Sequence, residues 1–168
     1  PVKFIPDEVF AGEESCKECH QQQFEKWQDS HHFRAMEIAD SSSVRGDFNN
    51  TTFTTKEGMK TTFYKKDGKF RVNTEGDDGK YYDYEIVYTF GYMPLQQYIV
   101  EFPKGRFQCL TTAWDTEKNR WFDLYPGMKV VHSEWLHQAK GAMTWNTMCA
   151  DCHSTNVRKN FNEAADSF

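Results

Sequence analysis

Two pentapeptides hold most of the reactive side chains of this 168-residue chain: Cys16-Lys17-Glu18-Cys19-His20 near its start and Cys149-Ala150-Asp151-Cys152-His153 near its end. Both read Cys-x-x-Cys-His, the pattern that attaches c-type haem. On a helix, positions i, i+3 and i+4 share one face. The two sulfurs can then form thioethers to the porphyrin edge while the histidine reaches the iron. The spacing predicts two covalently bound haem c groups, with Cys16, Cys19, Cys149 and Cys152 as thioether positions and His20 and His153 as proximal iron ligands.

Other chemistries fit the spacing less well. Two cysteine pairs could hold a structural zinc, but zinc ribbons separate their pairs by a much shorter loop and do not ask for histidine directly after each pair. A thioredoxin-like dithiol needs a βαβ setting that the sequence does not offer. The fifth cysteine, Cys109, falls in a strand-like run and reads as a buried thiol without function.

Each iron needs a second axial ligand or an open position. The chain has six histidines. With His20 and His153 assigned, His31, His32, His132 and His137 remain, enough for bis-histidine ligation at both irons. Met36 and Met143 are the thioether alternatives and would raise the potential, whereas Met148 directly precedes Cys149 and cannot swing round to the far face of that haem. Phe24, Trp27 and Trp145 are expected along the haem faces, and Arg34 or Lys140 at the propionates.

The elements that must position these residues follow from local patterns. Residues 1–12 carry two prolines and read as an extended arm. Ser15 followed by Glu18 matches a capping box and predicts a helix over about Cys16–Asp29. A second short helix is expected over His32–Asp40, ended by Ser41-Ser42-Ser43. From Asn50 to Tyr125, short β-branched and aromatic runs predict seven strands: 51–55, 60–65, 70–74, 81–89, 97–102, 107–114 and 121–125. Turn chemistry such as Lys56-Glu57-Gly58, Asp67-Gly68 and Asp78-Gly79 separates them. Helix signals return over Glu134–Lys140 and Thr147–His153. The expected fold class is α+β: haem-binding helices at both ends of the chain flank an antiparallel β-meander insertion. The expected plan is a single dihaem domain over 1–168, with a first haem region (1–45), the β insertion (50–126) and a second haem region (130–168).

Composition sets wider bounds. Four Leu and four Ile stand against 14 Phe, 8 Tyr and 5 Trp. Close packing then requires that the aromatics fill the interior or that a non-protein body, such as two flat porphyrins, shares it. A formal charge of -5 argues against a nucleic-acid partner. No apolar run approaches the ~18 residues needed to span a bilayer, and Pro1-Val2-Lys3-Phe4 lacks the plan of a secretory signal, so any export signal is expected to have been removed.

The residues also resemble a known group, the multihaem c-type cytochromes related to the tetrahaem electron carriers of nitrification, many of which continue into tetratricopeptide repeats. The matching stretches are Cys16–His20 with Trp27, Ser30, His32, Ala35 and Met36; Pro94–Tyr98; Glu101–Pro103; Ala113–Asp115; Trp121-Phe122; Leu124–Pro126; and Trp145–Asn156. The resemblance implies His32 and His137 as the distal iron ligands, with His31 and His132 as alternatives, and it usually continues to a further haem motif beyond Phe168.

The expected function is electron transfer between redox partner proteins through low-potential bis-histidine haems, more a carrier than an enzyme. The competing expectation is a haem enzyme or gas and nitrogen-oxide sensor in which one iron stays five-coordinate. Haem c attachment implies a periplasmic or otherwise extracytoplasmic location. Oligomeric state is left open.

Overall fold

Aromatic and β-branched residues dominate the middle of the chain, and in the computed structural model they build one antiparallel sheet. The structure describes residues 11–28, 30–155 and 157–168. The expected arm over 1–12 therefore lies outside the described residues except for Ala11 and Gly12, as do Asp29 and Asn156. The chain divides into two compact units, Pro1–Arg34 and Ala35–Phe168.

The first unit is built on α1 (Glu14–Gln28). The expected capping box does not form. The helix begins ahead of Ser15, whose hydroxyl donates to the Gly12 carbonyl at 2.7 Å instead of accepting from a free N–H. At the other end Ser30 stops the helix: its N–H donates to the Trp27 carbonyl and its hydroxyl accepts from Phe33 N–H at 3.2 Å. The unit buries Phe24, with Trp27 tilted beside it at 6.1 Å and Phe33 edge-on to Trp27 at 4.9 Å.

The second helix expected over His32–Asp40 is instead a 3₁₀ turn, Phe33–Ala35, running into strand β1 (Met36–Ile38). Tertiary pairing overrides the local signal, because Met36, Glu37 and Ile38 align antiparallel with Phe90, Thr89 and Tyr88.

The sheet continues with β2 (Thr51–Thr54), β3 (Lys60–Lys66), β4 (Lys69–Glu75), β5 (Tyr81–Phe90), β6 (Leu95–Phe102), β7 (Arg106–Cys109), β8 (Thr112–Asp115) and β9 (Arg120–Asp123). Its order is β2-β3-β4-β5-β6-β8-β9, with β1 on β5 and β7 on β6. Between β3 and β4 the chain turns at Asp67 (φ 54) and Gly68 (φ 74), the positive pair that a two-residue hairpin demands. The run expected as one strand over 107–114 breaks after Cys109: β7 pairs with the far half of β6 and β8 with its first two residues.

Alternation places Phe63, Phe70, Val72, Ile86, Tyr98 and Val100 in one core with Phe48, Leu110, Trp114 and Trp121. The sheet curls into a nearly closed barrel, so that Phe63 on β3 stacks on Trp121 on β9 at 3.5 Å and 3° between planes. Six of these ten core residues are aromatic, so rings supply most of the packing inside the sheet.

The fold class expected from the sequence needs correction. Among the described residues the structure is mostly antiparallel β, with a single helix longer than one turn, α1. No helix forms over Glu134–Lys140. The second motif falls on two four-residue turns, α2 (Trp145–Met148) and α3 (Ala150–His153), not on a haem-binding helix. Thr144, Asn146, Thr147, Asp151 and Ser154 all have poor helix propensity, and one-turn helices gain little cooperativity. Among the described residues no helix is long and apolar enough to cross a membrane.

Candidate functional site

The first motif lies on α1. Cys16, Cys19 and His20 are all exposed, and both thiols are free. The helix kinks at His20, whose backbone is non-helical (φ -132, ψ 42). In the same unit His31 and His32 are exposed, and Trp27 (36 %) and Phe33 (42 %) leave apolar ring surface in solvent. Phe24 is buried, and Lys17 Nζ sits 5.3 Å from its ring centre.

The second motif is fastened to the sheet. The Asn146 carboxamide accepts from Phe107 N–H at 2.8 Å and donates to the Gly105 carbonyl at 3.1 Å, tying α2 to the start of β7. A bridge between Gln108 and Thr144 adds a backbone link. Cys149 marks a break between α2 and α3 (φ -121, ψ -35) and is half-buried, while Cys152 and His153 are exposed. Burial, and then the neighbouring Cys152, push the Cys149 thiol upward. The His153 ring stands edge-on to Phe90 at 4.9 Å. Trp145 lies 6.4 Å from Phe107, and its indole Nε1 is buried without a partner.

Cys109, on β7, is buried, and its sulfur accepts from Gln97 Nε2 at 3.3 Å. Burial raises its pKa, so it stays a thiol.

The two remaining histidines share a cavity of about 260 Å³, lined also by Glu57, Glu75, Asp123 and Gln138. His132 Nδ1 lies 3.8 Å from Glu75 Oε1. His137 is 3 % exposed; its Nδ1 accepts from Ala139 N–H at 3.2 Å and its Nε2 has no partner. Burial first, then the charges of His132 and Lys140, hold its pKa below the usual imidazole value. The rim of this cavity exposes Tyr125, Met128, Val131 and Leu136. Neither the apolar rim nor the unpartnered nitrogen was foreseen from the sequence, since both arise from the packing of an irregular segment.

Met36 is half-buried on β1 and Met143 half-buried in a 3₁₀ turn, while Met148 is 55 % exposed. Among the described residues no group of three or more His, Cys, Asp or Glu side chains is gathered to hold a bare metal ion. A porphyrin iron needs no such group, because the macrocycle supplies four nitrogens and the protein only one or two axial ligands. Free thiol pairs, each followed by an exposed imidazole, fit that requirement.

Residues 15–79 match the family described as cytochrome c554 and c-prime. The matched stretch holds the first motif and the sheet through β4; the second motif lies beyond it. No curated protein matches the chain, and no solved structure does. The family match supports a c-type cytochrome, a class that holds haem c covalently.

Proposed function

We propose that the chain is a dihaem c-type cytochrome that passes electrons between redox partner proteins outside the cytoplasm. The observation that carries this reading is the repeated Cys-x-x-Cys-His, with all four of its sulfurs free and both of its imidazoles exposed. Haem held there supplies reversible one-electron iron chemistry.

The chain's own residues do the holding. Cys16, Cys19 and His20 would hold one haem, and Cys149, Cys152 and His153 the other. Trp27 and Phe33 offer apolar ring faces in the first unit. In the second, Asn146 fixes the height of α2 on β7 and so the position from which Cys149 and His153 project.

His32 and His137 would supply each iron with its second imidazole and so a low potential, with His31 and His132 as alternatives. The unpartnered Nε2 of His137 and the apolar rim around it support the second assignment. In a neutral ring whose Nδ1 accepts from Ala139, the proton sits on Nε2. Ligation through Nε2 therefore requires that proton to leave and the Ala139 bond to change. That bond favours a second reading, in which one iron keeps an open position for a small gas or nitrogen oxide.

Purified protein should be red, with an intact mass exceeding the polypeptide by two haems and a low-spin reduced spectrum indifferent to CO. Colourless material or a bare polypeptide mass overturns the proposal. A CO-induced Soret shift, with both haems present, selects the second reading. Replacing His32 or His137 with Ala should turn one haem high-spin, and an unchanged spectrum removes that residue from the iron.

A further inference from the structure

The histidine of the second motif lacks the common means of orienting an axial ligand. A metal-bound imidazole is ordinarily fixed by a hydrogen bond that its other nitrogen donates. Among the described residues no hydrogen bond reaches the His153 ring, and its ring partner is Phe90, edge-on at 4.9 Å and 81° between planes. Backbone stiffness is no substitute, because His153 is exposed at the end of the single turn α3, and one-turn helices gain little cooperativity.

Phe90 is held from both sides. It ends β5, where it aligns with Met36 on β1 and Gln97 on β6, and the next N–H, of Gly91, donates to the Ala35 carbonyl at 2.7 Å. Directly paired residues, and every second residue along a strand, share one face of a sheet. Phe90 therefore projects from the face that carries Gln97, Ile99, Phe107 and Cys109, and across it Gln97 Nε2 donates to the Cys109 sulfur. Ile99 and Cys109 are buried although neither belongs to the barrel core. The turns of the second motif meet this face through two ring contacts: Phe107 with Trp145 of α2 at 6.4 Å, and Phe90 with His153 of α3. His20 of the first motif has no ring contact of this kind among the described residues.

We propose that Phe90 is the positioning residue of the second haem site, its strand-held ring fixing the plane of the His153 imidazole in place of a hydrogen bond. The inference rests on the reading of His153 as an axial ligand and names what orients it.

The plane of an axial imidazole governs how unpaired spin spreads from oxidised iron to the methyl groups of the porphyrin, so the shifts of those methyl protons report ring orientation. The test is proton magnetic resonance of the full, haem-loaded, oxidised chain. Phe90→Leu keeps bulk and loses the flat ring, Phe90→Ala removes both, and Phe90→Tyr keeps the ring. F90L and F90A should shift the methyl signals of one haem and leave those of the other in place. The set that moves should be the one absent when Cys149 and Cys152 are both replaced with Ser. F90Y should leave both sets where they stand in the parent chain.

Unmoved signals in F90L, both sets moving together, or F90Y moving them as far as F90L overturns the proposal; if F90A does not fold, F90L and F90Y still decide. A two-haem chain indifferent to F90L overturns the role of Phe90 alone. A chain without any haem-methyl signal overturns the haem reading, and the role of Phe90 with it.

Discussion

The two copies of the same pentapeptide sit in contrasting surroundings. The first projects from a fifteen-residue helix, with its two cysteines and its histidine exposed. The second rests on single turns docked to a strand, with its first cysteine half-buried. What they share is a local departure from helical backbone, at His20 in one and at Cys149 in the other. The same Cys-x-x-Cys-His spacing thus occurs once on a long helix and once on single turns that the neighbouring chain holds in place.

The largest effect that sharpens this contrast is loss of a cofactor. Cys16→Ser with Cys19→Ser should leave one haem by intact mass, and Cys149→Ser with Cys152→Ser should leave the other. The first change should also preserve the near-ultraviolet dichroism of the aromatics in the sheet core, none of which lies on α1. If either double variant keeps two haems, the motifs do not act separately.

A smaller effect should fall on the docked motif alone. Asn146→Ala removes two hydrogen bonds and strands the Phe107 N–H, which should lower stability by about 1–3 kcal/mol in denaturant titration. It should also reduce haem occupancy at Cys149 and Cys152 while leaving Cys16 and Cys19 loaded. Equal losses at both motifs would break the contrast.

The smallest effect is on pH. In the haem-free chain the folded-state pKa of His137 lies below the ordinary 6.5, so the unfolded chain binds the proton more readily. Its contribution is intact above 6.5, falls as pH drops from there toward the lower folded value, and is then constant. His137→Asn should flatten that part of the stability profile, read by denaturant titration across pH.

The sequence foretold the central strands well, because turn pairs such as Asp67-Gly68 punctuate runs whose alternation matches a half-buried sheet. It also placed α1 to within two residues. It misread the flanks. Met36-Glu37-Ile38 looks helical alone and becomes a strand only because Tyr88–Phe90 offer an edge. The second motif was expected on a helix, yet its position comes from the Asn146 carboxamide meeting backbone about forty residues away, which no local window reveals. The six positions of the paired motifs were legible as a repeated pattern, the spacing that haem attachment uses. The cavity around His137 was not, since it is assembled from irregular chain. The aromatic surplus left open whether rings or a porphyrin would fill the interior, and in the sheet core six of ten buried residues are rings.

The Trp121 indole that stacks on Phe63 also meets a second indole. Trp114 lies 5.1 Å from Trp121 at 70°, close enough for their transition dipoles to couple. Such coupling gives the folded barrel an excitonic signature in the far ultraviolet, away from the Soret region. The assembly of the sheet can thus be followed optically whether or not the chain carries pigment.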